Sequence, residues 1–276
     1  MTLVCLTLVL SVFLFVAAPA LTGWASGYLD IRSLYDVQIS TRYNDVYKIE
    51  DLPKGNYELV TTFLDEKNIA VAYDCTFNLY LPNQEDFHKR IKLDFPIVAI
   101  SLSDYNVLRE MLGYEQVFLN EGEFTTQWKT IATEEDRNEF LSNHTVISTD
   151  MGDLRLAENA YHLEAIGQTV YNSYTDVLYV FPDSICNNLL SVMRNRYVKT
   201  ETVIPYNEAI SLENAFVEKY PEMPDNGNGV QYYIRTSTQQ INSSIAGNFI
   251  LQATMIYSAV VLMVICLTIL SLQQLL

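Results

Sequence analysis

Two long apolar segments bracket a polar stretch of the chain. The first extends from Leu3 to Leu21, and a helix of that length spans roughly 30 Å, the thickness of the hydrocarbon core of a bilayer. The second extends from Phe249 to Leu272 and is long enough to cross a bilayer with some tilt. Mildly polar side chains in it are able to bond within the helix or to a neighbouring helix: Gln252, Thr254, Ser258 and Thr268. The pattern predicts a membrane-spanning helix in residues 1–27 and another within residues 237–276.

The N-terminal segment has a second interpretation, a cleaved signal peptide, because Ala18-Pro19-Ala20 is similar to a small-x-small cleavage site. Against it, no Lys or Arg precedes the apolar run, and the run is longer than an ordinary signal-peptide core. Trp24 and Tyr28 follow it, where interfacial aromatic residues are expected. We therefore favour a membrane span, and cleavage after about Ala20 stays the alternative.

The second segment is expected to begin as a helical stalk. Gln239 to Asn248 contains no helix breaker except Gly247, so one continuous helix of roughly 50 Å is expected from the stalk through the span. Neither span has the flanking Lys or Arg that normally fixes the cytoplasmic side. The helical pattern is also still running at Leu276. We interpret the chain as a piece of a longer membrane protein.

Charge is confined to the central stretch. All 17 Lys and Arg and all 33 Asp and Glu lie between Asp30 and Arg235, and the net charge is -16. This acidic balance argues against nucleic acid as a partner, because nucleic-acid binding needs basic side chains. If both segments cross the bilayer, residues 30–235 lie on one side of it. An acidic domain without basic clusters fits the extracellular face better than the cytosol.

The central stretch, residues 28–236, alternates between strand-like and helix-like segments. Strand-like segments rich in Val, Ile, Tyr, Phe and Thr are Tyr35–Ser40, Tyr57–Leu64, Ile69–Leu81, Ile97–Leu102, Gln116–Leu119, Phe124–Trp128, Thr145–Ser148, Val177–Phe181, Tyr197–Ile204 and Val230–Thr236. Four helices are predicted, from Ser103 to Gly113, from Thr133 to about Leu141, from Pro182 to about Arg194 and from Asn207 to about Tyr220. Two strand–helix–strand units follow, at 97–119 and 177–204. The fold class is α+β, a mixed α/β domain, with a division into two lobes near 120–145 as an open alternative.

The candidate catalytic and metal-binding residues form no recognisable motif. His88, His144 and His162 have no second His or Cys at metal-ligand spacing, and no HExxH, GxSxG, GxxxxGK[ST] or GxGxxG motif occurs. Glu134–Asp136 is better explained as an acidic first helical turn than as an acid–base pair. Asp150–Asp153 is interpreted as a turn. We therefore assign no catalytic, cofactor-binding or metal-binding residue and expect no cofactor.

Three further features leave the ligand unassigned. Asp225–Gly229 lacks the alternating acidic ligands of a calcium loop and is interpreted as a turn. Cys75 and Cys186 are either one disulfide or two buried thiols, and a domain of this size favours the thiols. Nineteen tyrosines either pack the core or line a ligand groove.

Short stretches across nearly the whole chain are similar to those of a known family. They are Tyr35–Val37, Ile100–Asn106 with Gly113, Asn120–Phe124, Val180–Asp183 and the C-terminal LTILSLQQLL. With the layout of span, outer domain and span, the chain resembles the FtsX-like permease subunits of bacterial ABC transporters. It looks most like the large bacitracin-resistance (BceB-like) type.

The resemblance implies a non-catalytic part of a multi-pass permease in the bacterial cell membrane, working with a separate ATPase subunit. The extracellular domain would bind a cationic antimicrobial peptide, a lipid-linked cell-wall precursor or an envelope protein, and would receive ATP-driven motion through its helices. A surface receptor or adhesin with a cleaved signal peptide is the alternative.

Overall fold

A computed structural model describes residues 2–43, 58–89, 97–167, 169–171, 175–220 and 230–275. The chain divides into two compact units, one of residues Ser33–Thr238 and one of Met1–Arg32 with Gln239–Leu276. The helices are α1 (Thr2–Arg32), α2 (Glu58–Glu66), α3 (Leu102–Met111), α4 (Glu134–Asn143), α5 (Asp183–Cys186), α6 (Tyr206–Lys219) and α7 (Ser237–Leu275), with a short 3-10 helix at Gln84–Lys89. The strands are β1 (Val37–Tyr43), β2 (Val71–Leu81), β3 (Ala99–Ser101), β4 (Glu123–Trp128), β5 (Val146–Thr149), β6 (Gly152–His162), β7 (Val177–Phe181), β8 (Leu190–Thr200) and β9 (Val230–Thr236).

The strands of the larger unit form one mixed sheet in the order β5-β6-β4-β7-β3-β2-β8-β1-β9. β3 pairs with β7 and β4 pairs with β6 in parallel, and the other pairs are antiparallel. The α+β class predicted from the sequence is confirmed. The two-lobed alternative is not observed, because strands from both sides of residues 120–145 belong to this one sheet.

Apolar side chains cover both faces of the sheet around its long strands β2, β8 and β1. On one face α3 packs on a core cluster that includes Phe77 and Tyr197. On the other face α2 and α6 pack on a second cluster that includes Val37 and Phe216. Burial of a large apolar side chain contributes about 1.5–3 kcal/mol, so these two clusters hold β1 and β8 between two apolar layers.

Local capping chemistry explains where several helices begin and end. α4 begins at the predicted Thr133, which caps it through a reciprocal pair of hydrogen bonds with Asp136. α3 starts earlier than predicted, because Ser101 rather than Ser103 accepts the hydrogen bond from the Asp104 backbone N–H. α6 likewise begins after Pro205, two residues before the predicted cap at Asn207. The turn after α3 uses Gly113 at φ +79°, a conformation that favours glycine.

Three of the predicted segments are wrong. Tyr57–Leu64 was predicted as a strand, but Glu58–Glu66 is the helix α2, which buries Val60 and Leu64, four residues apart on one face. Gln116–Leu119 is not a strand, because the side chain of Asn106 bonds the backbone N–H and C=O of Val117 at 2.7 and 2.8 Å in place of a neighbouring strand.

The helix predicted from Pro182 to about Arg194 ends at Cys186. The residues from Leu190 onward instead form β8, which pairs with both β1 and β2. Two backbone ladders and burial outweigh the local helical pattern there. β7 and β9 match their predicted bounds of Val177–Phe181 and Val230–Thr236, and α7 includes the stalk for which a helix is predicted.

Candidate functional site

The chain enters and leaves the sheet through one pair of neighbouring strands. β1 follows α1 after residues 33–36, and β9 ends at Thr236, directly before α7 begins at Ser237. These strands pair antiparallel, and the first residue of β1, Val37, lies opposite the last residue of β9, Thr236. Both apolar helices are therefore covalently continuous with the same end of one strand pair.

Asp36 ties this end of the sheet together. Its backbone C=O accepts a hydrogen bond from the Ser237 N–H at 3.0 Å, and its Oδ1 accepts one from the Ser237 hydroxyl at 3.3 Å. Its Oδ2 accepts the backbone N–H of Thr200, at the end of β8, at 2.9 Å. One side chain thus links β1, β8 and the first residue of α7.

Glu213 of α6 fixes the last residue of β9 at the same end of the β1–β9 pair. Its Oε1 accepts the backbone N–H and the side-chain hydroxyl of the buried Thr236, both at 2.7 Å. Burial raises the pKa of Glu213, although the hydrogen bonds from Thr236 and the charge of Arg235 oppose the rise. We call Asp36, Glu213, Thr236 and Ser237 the junction cluster.

A polar pocket of about 220 Å³ lies on the same strand pair. Its lining residues come from β1, from β9 and from the segment after β6: Gln38, Ile39, Ser40, Thr169, Tyr233 and Arg235. Across the strands, Gln38 is opposite Arg235 and Ser40 is opposite Tyr233, so these four side chains share one face of the sheet. The pocket therefore combines a positive charge, an aromatic ring and several hydrogen-bonding groups.

Hydrogen bonds fix the wall of the pocket that Thr169 forms. The Tyr197 hydroxyl and Thr169 Oγ1 are hydrogen-bonded, and Thr169 Oγ1 donates to Gln38 Oε1 at 3.3 Å. Gly167, two residues earlier, has φ +99°, and a Cβ there would lie 3.2 Å from Cε2 of Tyr35. Glycine is thus required for this segment to approach the sheet so closely.

A buried polar network anchors the preceding residues. The guanidinium of Arg109, only 3% exposed, contacts both carboxylate oxygens of Glu164 at 3.2 and 3.3 Å. Gln127 donates to the backbone C=O of Glu164 at 3.0 Å and accepts from the Tyr105 hydroxyl at 2.6 Å. The hydrogen bond from Arg109 lowers the pKa of Glu164, and burial lowers that of nearby His162. The network positions residues 162–166 and, through them, the Thr169 wall.

Of the residues considered for chemistry in the sequence, His162 lies near the Arg109–Glu164 network, whereas His144 and two acidic stretches belong to other elements. His144 follows α4, where its ring stacks on Phe140 with centroids 4.0 Å apart. Glu134–Asp136 is the first turn of α4, and Asp150–Asp153 includes the tight turn between β5 and β6, as interpreted from the sequence. Among the described residues, no group of three or more His, Cys, Asp or Glu is arranged to hold a metal ion.

The remaining sequence candidates are core residues or lie outside the described ranges. Cys75 and Cys186 are both buried and free, and burial raises the pKa of the Cys75 thiol to about 12, so it is not a ready nucleophile. Five of the described tyrosines are buried in the core, whereas Tyr233 lines the pocket: Tyr35, Tyr105, Tyr171, Tyr179 and Tyr197 are the buried ones. The predicted turn Asp225–Gly229 is not within the described residues.

In the smaller unit, α1 and α7 pack side by side. Ser11 Oγ donates to the C=O of Ala259 at 2.8 Å, and Cys266 Sγ contacts the C=O of Val4 at 3.7 Å. The two contacts are seven residues apart along each helix and run in opposite directions, so the helices are antiparallel. Several mildly polar side chains of α7 bond back to their own helix, as predicted: Thr254, Ser258 and Thr268.

Both helices are long and apolar enough to cross a membrane, over Val4–Gly23 and Ser237–Gln274. Their large apolar side chains mostly point away from the helix pair. Phe13 is 64% exposed and Phe249 is 69% exposed. Contiguous apolar surface of this kind is unusual on a protein that stays in water.

Comparison with known proteins leaves the family open. No protein-family model and no curated protein matches the sequence. One solved structure, assigned as a lipoprotein from Bacillus anthracis, is 6% identical and covers 72% of this chain and 96% of its own, with a TM-score of 0.35. Another, the periplasmic region of MacB from Actinobacillus actinomycetemcomitans, is 10% identical and covers 76% of this chain and 92% of its own, with a TM-score of 0.30. Similarities this weak carry no argument about the family of this chain.

Proposed function

We propose that this chain is a segment of the permease subunit of a bacterial ABC transporter, with both apolar helices in the cell membrane and residues 30–235 outside. One observation carries the proposal: the two helices continue into β1 and β9, whose ends pair at Val37 and Thr236. A tilt of either helix would act on the same end of the same strand pair. Rigid-body motion of this kind is a common way to pass a signal between domains.

Two further observations support the role. The junction cluster links the first residue of α7 to β1 and β8 through Asp36, and fixes Thr236 through Glu213. Because these hydrogen bonds make the connection rigid, a movement of α7 would be passed to the sheet. The exposed apolar side chains of α1 and α7 fit contact with lipid. The sequence resemblance to FtsX-like permeases points the same way.

In this proposal the segment carries no catalysis. ATP hydrolysis belongs to a separate ATPase subunit, and the outer domain binds a peptide, a lipid-linked cell-wall intermediate or an envelope protein. The net charge of -16 favours cationic partners at long range, an attraction that is screened beyond about 8–10 Å at physiological salt.

The topology is tested by cysteine labelling in intact cells, in a Cys5→Ser background. Glu139→Cys, exposed on α4, should react with a membrane-impermeant maleimide before the cells are opened. Gln274→Cys, exposed near the end of α7, is the matched control and should react only after permeabilisation. A Glu139→Cys protein that is protected in intact cells would place the domain in the cytosol and overturn the proposal.

Mass spectrometry of the mature protein separates the proposal from the receptor or adhesin alternative. Ala18-Pro19-Ala20 is the observation in favour of that alternative, which requires loss of the residues up to about Ala20. The permease proposal requires that peptides from residues 1–20 be retained.

The transporter role is tested on the complex purified from native membranes. The expected result is a co-purified nucleotide-binding subunit whose ATP hydrolysis changes when Asp36→Ala and Glu213→Ala are combined. Asp65→Ala, at an exposed position of α2, is the matched control. A purified protein without any nucleotide-binding subunit would contradict the role.

A further inference from the structure

Buried hydrogen-bonding atoms that no described residue satisfies lie in the polar pocket, at Ser40, and next to it, at Asn195. Ser40 Oγ has no partner although Ser40 is only 6% exposed, and Asn195 Oδ1 and Nδ2 have none although Asn195 is fully buried. Buried polar atoms in native proteins are nearly always hydrogen-bonded. Three such atoms in one place therefore indicate a missing partner.

These atoms are neighbours on one face of the sheet. Ser40 lies opposite Asn195 of β8 on one side and opposite Tyr233 of β9 on the other. Side chains directly opposite on neighbouring strands are close enough to contact the same small molecule. Ser40 and Tyr233 line the pocket, whereas Asn195 is not a lining residue and lies opposite Ser40 on β8.

Stability alone does not explain this row. Asn is a poor strand former, and each unsatisfied buried polar group costs about 1–3 kcal/mol. The adjoining positions on the same face of β2, Cys75 and Phe77, belong to an apolar core, so an apolar residue at 195 would fit its surroundings. The polar row is better explained by a bound molecule.

The charge in the pocket defines the class of that molecule. Arg235 is the charged residue among the lining residues, and it lies opposite Gln38, one step along from Ser40 and Tyr233. A guanidinium binds carboxylates through a planar pair of hydrogen bonds. Arg235 also interacts electrostatically with Glu213. The Oε1 of Glu213, however, accepts its hydrogen bond from Thr236, on the face of the sheet that α6 covers.

The charge of the whole domain narrows the class further. With 33 acidic and 17 basic side chains, the protein repels free polyanions at long range. A zwitterion or a cationic peptide is not repelled in this way. The pocket volume of about 220 Å³ equals roughly seven waters at about 30 Å³ each, enough for one amino-acid residue but not for a large ligand.

We propose that the pocket between β1, β9 and Thr169 binds the carboxylate of an amino acid or of a peptide end, with Arg235 at the carboxylate and Ser40, which lies opposite Asn195, at its polar groups. This deepens the proposed function, on which it rests, by naming a ligand class for the outer domain. The pocket adjoins the junction cluster along the same two strands, since Asp36 precedes Gln38 by two residues and Arg235 directly precedes Thr236.

Isothermal titration of the full chain in detergent tests the proposal with four probes: alanine, trialanine, trialanine amide and inorganic phosphate. We expect trialanine or alanine to bind at least about tenfold more tightly than the amide, as expected for loss of hydrogen bonds to a charged group. Binding of alanine identifies a free amino acid as the ligand, and binding of trialanine alone identifies a peptide end. Three results would overturn the proposal. They are phosphate binding as tight as that of alanine and trialanine, trialanine amide binding as tight as that of trialanine, and no binding of alanine or trialanine.

Variants locate the binding in this pocket. Arg235→Gln should weaken trialanine or alanine binding at least about tenfold, and Ser40→Ala should weaken it several-fold. Arg155→Gln, exposed on β6, is the matched control and should bind like the wild type. Arg235→Lys keeps the positive charge but loses the planar pair of N–H donors of the guanidinium. An affinity between those of the wild type and Arg235→Gln would show that the variant pocket is folded. Equal binding by Arg235→Gln overturns the proposal.

The titration is independent of the transporter role. It requires neither the ATPase subunit nor an intact membrane. Failure to bind carboxylates would therefore leave the topology and co-purification tests standing, and a failed topology test would leave the binding result standing.

Discussion

Glu213 accepts two hydrogen bonds from Thr236, one from the backbone N–H and one from the hydroxyl, both at 2.7 Å. Thr236 is the last residue of β9 and is fully buried. The contact therefore fixes the position from which α7 starts, using a carboxylate on a different helix.

Replacing Glu213 by Ala should destabilise the domain by about 1–3 kcal/mol, because it leaves the Thr236 N–H buried without its partner. Glu213→Gln should be close to wild type, because an amide oxygen accepts the same two hydrogen bonds. Thermal unfolding of the full chain in detergent, followed by near-UV circular dichroism, distinguishes the variants. Equal melting of the Ala and Gln variants would mean that the two hydrogen bonds contribute nothing.

The pH dependence of the same contact has a defined sign. Burial raises the pKa of Glu213, so the folded protein holds the proton at pH values where the unfolded chain has released it. This contribution to the free energy of unfolding should therefore fall as pH rises from about 4.3, the ordinary Glu value, through the raised pKa, and be constant above it. Glu213→Gln should lack this decline, and a Gln variant with the same pH profile would contradict the assignment.

Asp36→Ala should destabilise the domain by about 1–3 kcal/mol, because the half-buried strand end loses the acceptor of the Thr200 N–H and of the Ser237 hydroxyl. Asp36→Asn keeps an oxygen for only one of these donors and should fall between Asp36→Ala and the wild type. Asp65→Ala, on the exposed face of α2, is the matched control, with an expected change within about 0.5 kcal/mol. An equal loss in both Ala variants would show that Asp36 has no special role.

Local signals in the sequence predict much of the fold but not the site. The capping box of Thr133 and Asp136 and the β-branched run of Val177–Phe181 are local, and both elements appear where predicted. β6 has no such run: its sequence GDLRLAENAYH is poor in β-branched residues, and pairing with β4 and β5 makes it a strand. At β6 and at the start of β8 the predictions fail because contacts with distant strands decide the structure.

The pocket and the junction depend entirely on such contacts. Ser40 and Asn195 are 155 positions apart, and only the register of β1 against β8 brings them together. Asp36 and Ser237 are 201 positions apart. No local pattern marks these residues, because a lone Ser, Asn or Asp is ordinary in any loop. The abundance of tyrosine is the feature of the sequence that bears on the pocket, because Tyr233 lines it.

Gly167→Ala should destabilise the protein more than Gly122→Ala does. Both glycines have positive φ, +99° and +80°, so each substitution costs roughly 1–2 kcal/mol for the backbone conformation. Only at Gly167 would the new Cβ also meet a side chain, Cε2 of Tyr35 at 3.2 Å, whereas Gly122 has open space. Urea unfolding measures the difference. Equal losses would mean that the close approach between residue 167 and Tyr35 is not needed.

Ser11→Leu should separate α1 from α7, because Ser11 is fully buried against the C=O of Ala259 and a larger side chain has no room there. The readout is a disulfide between Val4→Cys and the native Cys266, whose Sγ lies 3.7 Å from the C=O of Val4. We expect efficient oxidation in the Val4→Cys protein and a large loss when Ser11→Leu is added. Ser11→Ala removes only the hydrogen bond, worth about 0.6 kcal/mol between membrane helices, and should retain most of the cross-link. Ser271→Leu, on an exposed position of α7, is the matched control and should retain it fully. Val4 and Ser11 are seven residues apart, as are Ala259 and Cys266, so the two contacts belong to one register of α1 against α7. Equal disulfide yields with Ser271→Leu and Ser11→Leu would contradict this register.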